Sequence, residues 1–189
     1  MTNRDRVASL EAYVSVDVET AGPNPSQYSL LSIGACLVAD IQRTFYVEVQ
    51  PINHNFTPEA LAVSRLSLGE LAKRGLPATE AMARLEGWLQ SQSLSSRQPV
   101  FVAFNAPFDW MFVNDYFHRF LGRNPFGHAA LDLKAFYMGL TGADWSETTM
   151  RLIASRYLSN RKLTHHALRD AQDQAELFRK MLAEAANPG

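Results

Sequence analysis

Two carboxylates near the start of the chain have a spacing that suits metal chemistry. Asp17 and Glu19 end the apolar run 12–19 and are separated by one residue. Side chains of a strand alternate between its faces, so both acids would share one face and the alternating valines the other. Neighbouring like charges destabilise each other unless they are neutralised, and a hard divalent cation with oxygen ligands commonly does this. The pair therefore predicts half of a metal site.

Two later segments offer further acidic and basic groups. Asp109 ends the segment 105–109, which follows a short apolar run, and Asp170 ends the segment 165–170, which begins with two histidines. Metal-dependent phosphodiester hydrolysis needs such acidic oxygens, a positioned water and a base that takes its proton. His165 and Asp170 are five residues apart, about 500° of helical rotation, so His165 should precede any helix that holds Asp170.

Each segment also has a plain structural explanation. The acidic pair could be a solvated strand face, and the segment 105–109 has the composition of a helix start, with Asn105 as cap, Pro107 in the first turn and an early aspartate. Asp132, between Leu131 and Leu133, is expected to be structural or to support the ligand residues rather than to bind a metal. Single motifs of this length have a high false-positive risk, so only their joint occurrence indicates a catalytic site.

Taken in this order, the segments resemble the DEDDh family of 3′–5′ exonucleases. Residues 17–22 resemble its first motif, residues 105–109 its second, and residues 165–170 its third. The resemblance extends from residue 13 to about residue 180. It implies a ribonuclease H-like α/β fold, with a five-stranded mixed sheet whose first three strands are antiparallel and whose faces carry helices.

The same resemblance implies a two-metal mechanism with a histidine base. Four carboxylates would hold two Mg²⁺ or Mn²⁺ ions, namely those of Asp17, Glu19, Asp109 and Asp170. His165 would be the general base, since histidine side chains titrate near neutral pH. His166 is the competing base, but the family's spacing to the final aspartate selects His165.

Residues beside the motifs are expected to contact the terminal nucleotide. The predicted substrate-binding residues are Thr20, Ala21, Gly22, Asn105, Phe108 and His165. The backbone after the acidic pair could approach the nucleotide closely, although Gly22 could equally serve only the turn. Phe108 could pack against the terminal base or sugar, a contact that tolerates any base.

Bulk properties indicate one globular domain. The chain has 189 residues, 47% of them hydrophobic, so we expect a single exonuclease domain over 1–189 with a core at about 12–183. No apolar run is long enough to cross a bilayer and the polar start has no signal-peptide plan, which predicts a cytoplasmic protein without a membrane partner. The net charge of −1 gives no global polyanion-binding signature, but metal ions would bring positive charge to the site. Cys36, the one cysteine, is expected in the core.

Residue patterns also predict the secondary structure. Strands are expected at 12–19, 30–38, 43–50, 100–104 and 129–133. Helices are expected from Thr57, after Pro77, from Phe108 to Gly122, at 134–140, at 145–157 and after Thr164, which would cap the last one.

Three functions follow from these observations. The leading one is a 3′–5′ exonuclease that releases nucleoside 5′-monophosphates from 3′ ends of single-stranded DNA or RNA. The second is an RNA-restricted trimming enzyme, similar to ribonuclease T or oligoribonuclease, and the third a non-catalytic nucleic-acid-binding or protein-interaction module. The sequence does not decide between a monomer and a homodimer, because the aromatic residues between Phe108 and Phe126 suit a core as well as an interface.

Overall fold

A five-stranded mixed sheet forms the centre of the protein. The computed structural model describes residues 12–92, 98–158 and 164–187. The strands are β1 (Ala12–Thr20), β2 (Leu30–Leu37), β3 (Thr44–Glu48), β4 (Pro99–Ala103) and β5 (Ala130–Asp132), in the spatial order β3-β2-β1-β4-β5. The first three are antiparallel, whereas β4 is parallel to β1 and β5 is parallel to β4. This confirms the predicted ribonuclease H-like sheet.

Helices connect and cover these strands. They are α1 (Pro58–Ser64), α2 (Leu68–Arg74), α3 (Ala78–Ser91), α4 (Ala106–Leu121), α5 (Leu133–Thr141), α6 (Met150–Tyr157) and α7 (Ala167–Ala185). Of these helices, α2 was not predicted from the sequence. Among the helices in the described parts of the chain, none has the length and apolar character that a bilayer span requires.

The helix predicted at 145–157 is confirmed only from Met150 to Tyr157. The chain instead forms a 3₁₀ turn at Trp145–Glu147, and α6 starts only at Met150. Thr148 donates from its main-chain nitrogen and its hydroxyl to the carbonyl of Trp145, which ends the turn. Thr149 then caps α6 by accepting the N–H of Leu152. Two consecutive threonines thus separate the turn from the helix.

The two faces of the sheet carry separate cores. On one face, the β1 valines pack with α3 and α4 through residues such as Met82 and Phe112. On the other face, Cys36 and Val102 pack with α7 and α6 through residues such as Phe178. Cys36 is fully buried, as predicted, and burial raises the pKa of its thiol to about 12, which makes it a core residue rather than a nucleophile.

The parallel strands determine where chemistry can be placed. Because β1, β4 and β5 run in the same direction, their carboxyl ends meet at one edge of the sheet. Asp132 fixes this edge, since its carboxylate accepts the N–H of Ala106 at 2.6 Å and that of Ala135 at 2.8 Å. It holds the starts of α4 and α5 side by side, the structural role expected from the sequence.

Candidate active site

Three of the predicted acids converge at the carboxyl end of β1. Ligand oxygens of Asp17, Glu19 and Asp170 all lie within 4.8 Å of one another. Asp17 and Glu19 come from β1, and Asp170 comes from the first turn of α7. Gly34 of β2 lets α7 approach this closely, because a β-carbon at that position would lie 2.2 Å from the carbonyl carbon of Ala167.

Asp109 lies beside this group, in the first turn of α4. Its side chain is 5% exposed, and its Oδ1 accepts the main-chain N–H of Val18, between the two β1 acids, at 3.0 Å. The helix start predicted from residues 105–109 is confirmed, but Asn105, in left-handed conformation before Ala106, makes no side-chain capping hydrogen bond. The structure thus brings all four predicted acids to one place, three within the 4.8 Å group and Asp109 beside them.

The acids carry more negative charge than their surroundings neutralise. Burial, and then repulsion from Asp109, Asp170 and Glu19, raises the pKa of Asp17 well above its usual range. Burial and Asp170 raise the pKa of Glu19 to about 7. Burial also raises the pKa of Asp109 to about 8, against the opposing hydrogen bond from Val18. Protons or cations must therefore accompany these carboxylates near neutral pH.

Gln174, which was not predicted from the sequence, completes the surroundings of Asp17. Its Nε2 donates to Oδ1 of Asp17 at 2.7 Å, and its Oε1 accepts the N–H of Phe104 at 2.9 Å. The side chain is 2% exposed. A signal was available, because Gln174 is four residues after Asp170 and so lies on the same face of α7.

Thr164 does not cap the last helix, which corrects the prediction. That helix begins at Ala167, after a left-handed residue, His165, with φ of 53°. This turn places Thr164 too far before the helix to bind its first amides. Instead, the N–H and the hydroxyl of Thr164 donate to Oδ1 of Asp170 at 2.9 and 3.2 Å. Thr164 therefore orients a candidate metal ligand.

The two neighbouring histidines have different surroundings. His165 is exposed, precedes α7 as predicted and lines the cleft beside the acids. His166 stacks its ring on Tyr46 of β3, with centroids 4.8 Å apart and planes inclined by 23°. His165 therefore lies in the cleft, whereas His166 makes a packing contact outside it.

A cleft of about 490 Å³ opens above the acids. Four of the other predicted contact residues line it, namely Thr20, Gly22, Asn105 and Phe108. Its opposite wall comes from α1 and the residue before it, through Thr57, Glu59, Ala60 and Val63. This wall was not predicted from the sequence, because no short motif marks it.

Ala21 is the exception among the predicted substrate contacts. It is fully buried in a small cluster with Leu31 and Leu71 and does not line the cleft. Its N–H binds the carbonyl of Ser29, and its carbonyl accepts the N–H of Thr57. Both main-chain groups are therefore occupied within the protein. Ala21 shapes the loop, while its neighbours Thr20 and Gly22 face the cleft.

Comparison with known proteins adds independent findings. Residues 12–182 match the family model described as 3′–5′ exoribonuclease Rv2179c-like domain. The chain is 47% identical over 169 residues to the 3′–5′ DNA exonuclease Cap18 of Escherichia coli, covering 89% of this chain and 90% of that protein. It is 30% identical over 176 residues to ribonuclease T of Shewanella baltica, covering 87% of this chain and 78% of the relative.

A solved structure shows the same fold. The nuclease domain of 3′hExo, a DEDDh family member bound to rAMP, superimposes with a TM-score of 0.77 and covers 93% of each chain. Sequence identity in this superposition is 16%, so the likeness concerns the fold.

Proposed function

The chain belongs to the Rv2179c-like family of 3′–5′ exoribonuclease domains, and from this premise we propose a two-metal exonuclease that removes nucleoside 5′-monophosphates from single-stranded 3′ ends. Membership and the likeness to Cap18 make it a 3′–5′ exonuclease, a hydrolase of phosphodiester bonds, rather than a non-catalytic module. The observation that carries the two-metal proposal is the convergence of Asp17, Glu19 and Asp170 within 4.8 Å at the base of a cleft.

The donor set suits hard divalent cations. Its atoms are carboxylate oxygens, which Mg²⁺ and Mn²⁺ prefer. Burial and mutual repulsion raise the pKa of Asp17, so cation binding would relieve a charge that the protein itself leaves uncompensated. Asp17, Glu19, Asp109 and Asp170 would hold the ions. Two such ions, when bound, supply the charge that activates a water and stabilises the departing 3′ oxygen.

The remaining steps fall to side chains of the cleft. His165 would take the proton from the attacking water, since it faces the cleft beside the acids and its neighbour His166 is stacked on Tyr46. Gln174 and Thr164 would keep Asp17 and Asp170 oriented through the hydrogen bonds described above. Catalysis would then depend on positions that the protein fixes before the substrate arrives.

The terminal nucleotide would lie between the two walls of the cleft. Thr20, Gly22 and Asn105 border the acids, where the sugar and the scissile phosphate must be placed. Phe108 on one side and Val63 on the other offer apolar surface to the base. Neither side chain can read a base edge by hydrogen bonding, so we infer removal of any base in turn.

We propose single-stranded DNA as the main substrate. The 47% identity to a protein named as a DNA exonuclease supports this choice. RNA trimming is the second candidate, supported by the exoribonuclease description of the family and by the 30% identity to ribonuclease T.

A direct assay tests these proposals. Matched 5′-labelled DNA and RNA oligonucleotides are incubated with the protein and Mn²⁺, and products are resolved by length. We expect a 3′-shortening ladder with release of nucleoside 5′-monophosphates, faster on DNA. Asp17→Asn should abolish it, whereas Asp40→Asn, at an exposed turn acid outside the cleft, should not. Equal degradation by native protein and Asp17→Asn rejects the site, and degradation of RNA alone selects the second candidate.

A further inference from the structure

An exposed tryptophan is held in a fixed position after α5. The side chain of Trp145 is 59% exposed, more than that of any other large hydrophobic residue in the described ranges. Its carbonyl accepts two hydrogen bonds from the buried residue Thr148, at 3.1 and 2.7 Å. The preceding N–H, of Asp144, donates to the carboxylate of Glu147 at 2.9 Å. The backbone is thus anchored although the indole ring faces solvent.

Lys134 places a cation against one face of this ring. Its Nζ lies 3.7 Å from the ring centroid. Across residues 12–92, 98–158 and 164–187, no carboxylate lies within ion-pair distance of Lys134. The pair therefore presents an aromatic surface to solvent together with a positive charge that has no ion-pair partner among the described residues.

This pair is connected to the edge of the candidate active site. Lys134 is two residues beyond Asp132, a span of at most about 7 Å along the chain. The carboxylate of Asp132 binds the N–H of Ala106, and the adjacent Asn105 lines the cleft. Since β4 and β5 end at the same edge of the sheet, Lys134 in the first turn of α5 lies on the β5 side of Asn105, and the indole ring of Trp145 lies against its ammonium group.

We propose that Lys134 and Trp145 form a stacking platform for a base upstream of the terminal nucleotide in a single-stranded substrate. The platform rests on the proposed function, because it extends the path of the same nucleic acid. Every base has a π-face that can stack on the indole, and Lys134 adds attraction to the polyanionic strand. The acids Asp144 and Glu147 in the same turn disfavour close phosphate contacts, so stacking should supply most of the affinity.

The effect of replacing Trp145 on binding should depend on the length of the oligonucleotide. A dinucleotide that occupies only the cleft should bind equally to all variants, whereas a longer strand reaches the platform. Trp145→Leu, which keeps apolar bulk without a π-face, should weaken binding of a long single strand about 5- to 100-fold. Trp145→Phe should restore most of the affinity. Leu152→Ala, at another exposed apolar residue of this region, is the matched control and should change nothing.

Affinities are measured by fluorescence anisotropy with labelled single-stranded DNA in EDTA, so that hydrolysis does not interfere. Unchanged affinity of Trp145→Leu for the long strand overturns the platform, as does an equal loss for the dinucleotide. A change in sedimentation of Trp145→Leu without a change in affinity assigns the tryptophan to a protein interface and also overturns the proposal. Circular dichroism melting confirms that each variant is folded.

The two proposals can fail separately. If native protein degrades no oligonucleotide yet binds long strands through Trp145, the exonuclease assignment falls and the platform stands. If Asp17-dependent degradation is observed with unchanged binding by Trp145→Leu, the platform falls alone. Length dependence of KM in the Mn²⁺ assay provides a second measurement, in which Trp145→Leu should raise KM for long strands and leave kcat unchanged.

Discussion

Gln174 donates a hydrogen bond to Asp17 over 2.7 Å and accepts one from the main chain of Phe104 over 2.9 Å. The single amide therefore connects α7 to the ends of β1 and β4, the three elements that bound the acid group. Since it is 2% exposed, water cannot readily replace either bond. The orientation of Asp17 depends on this side chain.

Replacement of Gln174 should impair catalysis without unfolding the protein. We expect Gln174→Ala to reduce kcat and the affinity for Mn²⁺ by about 10- to 100-fold each, as is typical when partners of metal ligands are removed. Gln172→Ala is the control on the same helix, because Gln172 binds the carbonyl of Ile41 instead. Kinetics and calorimetry with Mn²⁺ measure both quantities, and native values in Gln174→Ala would contradict the positioning role.

Replacement of His165 should lower kcat far more than replacement of His166. His165→Ala should lower kcat by about 100- to 10,000-fold, the usual contribution of a general base. His166→Ala should lower it less than about tenfold, because it removes a stacking contact with Tyr46 rather than a group that faces the cleft. Single-turnover rates at saturating Mn²⁺ check this prediction. A larger loss for His166→Ala than for His165→Ala would assign the base to His166.

Structural features that are determined by residues close together in the chain were predictable from the sequence. The alternation in β1 placed Asp17 and Glu19 on one face, and their ligand atoms are within 4.8 Å together with Asp170. The positions of the five strands and the start of α4 also followed from local patterns. These features depend on strand periodicity, turn residues and helix capping, which each act within a few residues.

Features that depend on tertiary contact were not predictable in this way. Thr164 has the residue type of a cap, yet the left-handed turn at His165 directs it to Asp170. Ala21 lies inside the first motif, but its burial beside Leu71 of α2, a helix that was itself missed, removes it from the cleft. Such outcomes depend on how distant elements pack, which no local pattern specifies.

Gly34 should tolerate no side chain. In Gly34→Ala the added β-carbon would lie 2.2 Å from main-chain atoms of Ala167 and Leu168, so α7 must shift and carry Asp170 with it. We expect a loss of about 1–3 kcal/mol in the free energy of unfolding, together with weaker Mn²⁺ binding. Gly139→Ala is the control, because nothing lies within 4 Å of that position in α5. It should be neutral or stabilise by about 0.5–1 kcal/mol. Urea unfolding and calorimetry test both variants, and a native-like Gly34→Ala would contradict the close packing.

The metal-free protein should lose stability as the pH rises through neutrality. Folding raises the pKa of Glu19 to about 7 and that of Asp109 to about 8, chiefly by burial, whereas in the unfolded chain both acids titrate near about 4. Between these limits the native state binds protons that the unfolded state has released, so the free energy of unfolding decreases with increasing pH across this range. Thermal melting in EDTA from about pH 5 to 9 measures this slope.

Asp109→Asn is the control variant for this pH dependence of stability. Addition of Mn²⁺ tests the same acids in their deprotonated form. The variant keeps an oxygen that can accept the N–H of Val18 but has no titrating group, so its slope should be shallower than the native one. Cations bind the deprotonated carboxylates, so saturating Mn²⁺ should raise the melting temperature more at about pH 8 than at about pH 6. A metal-free melting temperature that rises steadily across this range would contradict the buried-acid account. Equal stabilisation by Mn²⁺ at both pH values would show that its ligands do not include the acids with raised pKa.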